Sequence, residues 1–172
     1  MEFEDPPIPK DLEPSEAMPG GDAPYAIWIH DEDLFLENSP LASLSPKVLF
    51  SPGPITLWES HHYSDAKQDF LNRALSDGKA RAEKHFGVMS GNTAGDDLGE
   101  ALVAAAKNAG VNHLVSMRPF AGPLGDEIEP LRAKLQNEGI SLHLLRREDD
   151  LDAMSRATAG FFGFWKKTAR LR

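Results

Sequence analysis

Short apolar runs alternate with amphipathic helical stretches along this chain, and that alternation constrains its fold more than any other feature. Tyr25-Ala26-Ile27-Trp28-Ile29 lies between Pro24 and Asp31, the mark of a buried strand. Lys47-Val48-Leu49-Phe50 is a second run, stopped by Ser51-Pro52-Gly53-Pro54. From Ser64 the pattern turns helical: Ser64 or Asp65 can cap, and Phe70, Leu71, Ala74, Leu75, Ala82 and Phe86 share a face that Gly78 is expected to interrupt. Gly87-Val88-Met89-Ser90 reads as a third strand, and Asp96 or Asp97 then caps a helix that buries Leu98, Leu102, Ala105, Ala106 and Ala109 and stops at Gly110. His113–Met117 is a fourth strand; Leu124, Ile128, Leu131 and Leu135 mark a helix ending at Gly139, with Pro130 in its first turns. Ile140–Leu145 is the fifth strand. Strands joined through single helices require a parallel sheet with right-handed crossovers and helices on both faces. The expected fold is α/β: a doubly wound, Rossmann-like, five-stranded parallel sheet.

Charge and composition narrow what such a sheet serves. The chain of 172 residues carries −9, and Met1–Pro24 alone holds seven acids against Lys10, together with six of the thirteen prolines. That segment offers little apolar area against its ordering entropy, so residues 1–24 are expected to form a disordered acidic arm. The α/β domain is expected over 25–167, with a basic end at 168–172. Outside the arm the charge is only −3 (−9 minus −6), and no basic stripe crosses it, which argues against autonomous duplex binding. Zero cysteines exclude disulfides, thiolate catalysis and cysteine metal sites. No apolar stretch approaches the ~18 residues of a transmembrane helix, and the acidic start lacks a secretory pattern, so a cytoplasmic protein without membrane partners is expected.

Ligands of doubly wound sheets sit beyond the carboxyl ends of the strands. The loops there are His30–Asn38, Ser51–His62, Ser90–Asp96 and Met117–Gly125. Phe35, Trp58 and Phe120 offer aromatic faces, Arg118 and Asn38 offer hydrogen-bonding groups, and Gly91 and Asn92 open a strand-to-helix turn. These seven residues are the candidate cofactor-binding set. The Gly91–Asp97 turn has neither a GxxxxGK[ST] nor a GxGxxG pattern, and its two aspartates repel an anion. Glu59, His61, His62 and Asp65 are the densest group of metal-ligand types, but neighbouring histidines of an extended segment point apart, and a solvated loop is the simpler reading. Ser90 lacks a GxSxG elbow. No catalytic residue and no metal site is assigned.

Trp28-Ile29-His30-Asp31-Glu32-Asp33-Leu34-Phe35-Leu36-Glu37-Asn38-Ser39-Pro40-Leu41 resembles the opening of the photolyase/cryptochrome family: a tryptophan-containing strand, then R-D-L-R, D-N and a leucine. Asp33-Leu34 matches the D-L core, Glu37-Asn38 the D-N pair, and Leu41 the leucine; Gly160-Phe161-Phe162-Gly163-Phe164-Trp165-Lys166 resembles the family's F-T-P-F-W-K segment. Glu32 and Phe35 stand where that pattern carries arginines, and Arg118-Pro119 where the family often has an asparagine–acid pair that touches antenna pterin. The resemblance covers about Tyr25–Lys167, the family's amino-terminal antenna-type domain. It implies a folate, deazaflavin or flavin antenna and a separate helical FAD-domain protein as partner. FAD and light-driven repair belong to that helical domain, so this domain is not expected to be catalytic alone. Two other classes fit the same layers: a small nucleotide-binding protein or enzyme using the Ser90–Asp97 loop, and a pure protein-interaction module.

Overall fold

The computed structural model describes residues 13–157 and Trp165. The chain divides into two compact units, Glu16–Leu145 and a second made of Met1–Ser15 with Arg146–Arg172. The first holds a four-stranded, all-parallel sheet with strand order β2-β1-β3-β4: β1 (Tyr25–Trp28), β2 (Val48–Phe50), β3 (His113–Met117) and β4 (Ser141–Leu145). Ala26 pairs with Val48 on one side and Leu114 on the other, and Leu114 pairs with Leu142.

Unbroken apolar runs form these strands because both faces of the sheet are covered. Alternate residues Ala26, Trp28, Phe50, Leu114, Leu142 and Leu144 pack against Leu102, Ala105 and Ala106 of α3 (Leu98–Ala109) and Leu131 and Leu135 of α5 (Ile128–Asn137). The intervening Ile27, Ile29, Leu49, Val115, Met117 and Leu145 pack on the opposite face with Ala82 of α2 (Asp65–Phe86) and with Leu36 and Leu41. Asp97 caps α3 by accepting the Glu100 N–H, and Gly110 ends it in the left-handed conformation.

Four local expectations are corrected. The α2 helix runs unbroken through Gly78, which is buried because Leu34 lies against it; an added Cβ would come within 3.0 Å of Leu34 Cδ2. Residues 87–90 form no strand but a single parallel bridge from Ser90 to Leu49. There the Ser90 N–H donates to the Glu83 carboxylate instead of a neighbouring strand, and Met89 is 76% exposed. The Leu124–Gly139 helix is split into α4 (Pro123–Asp126) and α5, since Pro130 has no N–H for the Asp126 carbonyl. The Ser51–His62 loop contains a short helix, α1 (Ile55–Ser60), that the Pro52-Gly53-Pro54 cluster obscures; its Trp58 is buried.

The described part of the expected acidic arm makes specific contacts. Glu16 N–H donates to Leu144 O at 2.9 Å, Ala17 O accepts from His143 Nδ1 at 2.8 Å, and Met18 packs against the second core face. Because His143 Nδ1 donates to Ala17, its Nε2 accepts from His113 Nδ1 at 3.1 Å. Ion pairing and main-chain bonds to β4 hold this stretch where its own apolar content would not. In the second unit, α6 (Glu148–Arg156) carries three acids in its first turn, suited to the helix dipole. There Arg146 N–H donates to Ser15 Oγ. Of the Gly160–Lys166 segment only Trp165 is described, and the 168–172 end lies outside the described residues.

Candidate functional site

Beyond the carboxyl ends of β1 and β3, the polar groups bond to one another. His30 is 2% exposed; its Nε2–H donates to Met117 O at 2.9 Å, and its Nδ1 accepts the Glu32 N–H at 3.3 Å. Both ring nitrogens are thus engaged in a neutral imidazole, and burial holds its pKa below the ordinary histidine value against the pull of Met117 O and Glu32. The Glu32 carboxylate accepts the Phe120 N–H at 2.9 Å, so the two loops are tied twice. Trp58 Nε1 donates to Asp31 Oδ2 at 3.1 Å and fixes α1 to the end of β1.

The seven candidate residues have different surroundings. Phe35 is 52% exposed, 5.8 Å from the Arg81 guanidinium, which pairs with Glu37 and Asp77. Asn38 closes the 3₁₀ turn Leu36–Asn38 and is exposed. Trp58 is buried, Asn92 is exposed, and Gly91 donates its N–H to Leu49 O beside the Phe50 ring. Arg118 donates to Glu16 at 2.8 Å, and the exposed Phe120 is held through its backbone N–H by Glu32. Glu59, His61 and His62 are exposed on and after α1. Among the described residues no group of three metal-ligand side chains converges.

A cavity of about 320 Å³ does exist, and none of the seven lines it. It lies between α1, the start of α3 and the first turns of α5. In a parallel sheet the starts of α1 and α5, which come after β2 and β3, fall at the carboxyl end of those strands. Leu57, Leu98 and Leu131 supply an apolar floor continuous with the first core face. Thr56 Oγ1 donates to Asp96 O at 3.0 Å and ties α1 to the loop before α3.

The rim is acidic. Lys134 Nζ lies 2.8 Å from Asp97 Oδ1 and 3.5 Å from Glu100, so its charge is already matched. The Lys134 hydrogen bond, with the Glu100 N–H, holds the Asp97 carboxyl below its usual range. Glu127 is exposed and makes no ion pair among the described residues. Gly99 lets the lysine stem cross the rim: a Cβ there would lie 2.7 Å from Lys134 Cδ. This arrangement offers carboxylate acceptors over an apolar floor. It suits a ring with N–H donors and opposes a phosphate. The Thr56-Leu57 and Asp97-Leu98 pairs, each a polar residue beside an apolar one at a helix start, are the sequence signal that marks it.

No helix among the described residues is long and apolar enough to cross a membrane. Compared with known proteins, the chain matches no family model, no curated protein and no solved structure.

Proposed function

We propose that this chain is a photolyase-related, antenna-type α/β domain that holds a planar heterocycle in the cavity between α1, α3 and α5 and performs no chemistry alone. The observation that carries the reading is that cavity: about 320 Å³, floored by Leu57, Leu98 and Leu131 and rimmed by Glu127 and the Asp97–Lys134 pair. Small-ligand sites begin at ~300 Å³ and combine apolar walls with a few placed polar groups. The volume suits a two-ring heterocycle, and the acidic rim suits one with amino and ring N–H donors. A folate-type pterin, with its amino and ring N–H donors, therefore ranks ahead of a flavin or deazaflavin. Nucleotide phosphates meet like charge at Glu127, since Lys134 is already paired with Asp97.

Two further elements belong to the same reading. Helices on both sheet faces and a strand order that reverses at β1 support a doubly wound layout, with the Ser90 bridge as the vestige of a fifth strand. Catalysis and FAD are assigned to a separate helical partner, and a cytoplasmic setting follows from the same family reading.

The test is calorimetric titration of a pterin, flavin mononucleotide, a deazaflavin and adenosine nucleotides against the wild type and Glu127→Ala. Glu127 is exposed, so its loss leaves the fold intact. The reading requires micromolar binding of the pterin, weakened about tenfold or more by loss of a charge-assisted hydrogen bond. No binding below millimolar, or binding indifferent to Glu127, would refute it.

A further inference from the structure

We propose that Arg118, Arg132 and the Leu144 N–H form a carboxylate-recognition site on β4, which Glu16 fills in cis and which takes an extended acidic peptide in trans. Glu16 Oε1 accepts from Arg118 Nη2 at 2.8 Å and Arg132 Nη2 at 2.6 Å; Oε2 accepts from Arg132 Nη1 at 3.3 Å and the Leu144 N–H at 3.2 Å. Four donors thus meet one carboxylate. The two arginine side chains are 11% and 25% exposed, so these bonds form in a partly dehydrated setting where charge-assisted pairing is strongest. Arg132 is held in place by donating to Leu142 O at 2.7 Å, and the exposed Glu129 lies 3.6 Å from its Nε.

The site reads backbone as well as charge. Glu16 N–H donates to Leu144 O, and His143 Nδ1 donates to Ala17 O. Strand β4 is an edge of the sheet, and the side it turns away from β3 is where Leu144 gives one N–H and takes one in return. An edge strand with free main-chain groups is a template for an added strand. The Leu144 main chain and the His143 ring, with a carboxylate between two guanidiniums, specify an extended segment with an acid at one position. A small carboxylate would use the arginines and the Leu144 N–H but neither the Leu144 carbonyl nor the His143 ring. The occupant seen here is attached to the same chain, so a competitor in trans works against an effective concentration of about millimolar. Glu16 is accordingly the gate of the site.

The experiment titrates a labelled peptide copying residues 14–20, and its twin carrying Glu16→Gln, against full-length wild type, Glu16→Ala and Glu16→Gln by fluorescence anisotropy. Both Glu16 variants should bind the acidic peptide about tenfold or more tighter than the wild type does, with the Gln twin bound weakly by all three. Arg132→Gln in the Glu16→Gln background should abolish that gain. The conservative Glu16→Gln keeps the volume of the side chain if Glu16→Ala fails to fold. Equal binding of acidic and Gln peptides, no gain on losing Glu16, or displacement of the peptide by acetate at equal concentration would each overturn the proposal. In those cases Glu16 is an internal tie or the site takes a bare carboxylate.

Discussion

Replacing His30 by leucine separates two roles that its burial joins. At neutral pH the imidazole satisfies Met117 O through Nε2–H and the Glu32 N–H through Nδ1. Leucine fills similar space but leaves both main-chain groups without a partner at a site that is 2% exposed. Each stranded group costs about 1–3 kcal/mol, and the apolar side chain returns part of it, so a net loss of about 2–4 kcal/mol is expected. The pH dependence moves the other way. Burial lowers the His30 pKa, so the unfolded chain binds this proton more readily than the folded one. Stability from His30 is therefore full above the unfolded value near pH 6.5 and falls as the pH drops through it toward the folded value. The limiting slope is about 1.4 kcal/mol per pH unit for this one group. His113, lowered by burial and by neighbouring His143, acts in the same direction. Urea denaturation followed by tryptophan fluorescence between about pH 5 and pH 7.5 reads both effects. Wild type should lose stability steeply below pH 6.5, and His30→Leu should be less stable at neutral pH but visibly flatter. An unchanged slope in the variant would refute a neutral buried His30.

Three other substitutions test the scaffold. Asp97→Ala removes the cap of α3 and the partner of Lys134, so it should lower stability by about 1 kcal/mol at neutral pH, mostly from the cap, since the ion pair is exposed. That loss should vanish as the pH falls through the depressed pKa of Asp97, where the wild-type carboxylate is protonated too. Gly78→Ala gains about 1 kcal/mol of helix propensity but presses on Leu34, whose contact costs about 1–3 kcal/mol, so chemical denaturation should show no stabilisation. Trp58→Phe leaves the Asp31 carboxylate without its donor and should cost about 1.5–3 kcal/mol by the same assay; a neutral result would mean that water replaces the indole.

Much of the fold was legible because burial on both faces leaves a plain signature. Ala26–Trp28, Leu114–Met117 and Leu142–Leu145 are apolar at nearly every position, and the Asp97 cap and Gly110 stop frame α3. Gly87–Ser90 looked similar, yet Met89 faces solvent and Ser90 gives its N–H to Glu83, facts that depend on a helix seven residues away. Helix α1 hid behind two prolines that suit a helix start as well as a turn. The site was harder. Phe35, Phe120 and Arg118 stand out in the sequence for what their side chains can do, but Arg81, Glu32 and Glu16 already engage the ring, the backbone or the charge. The cavity instead arises from where three helix starts converge, which no single loop reveals.

The most direct measurement is heteronuclear NMR of the labelled full-length protein during titration with a pterin. Backbone shifts should concentrate at Thr56–Ser60, Asp97–Gly99 and Glu127–Lys134, around the cavity. Shifts confined to Phe35, Asn38 and Phe120, or none at millimolar ligand, would contradict the assignment of this cavity as the ligand site.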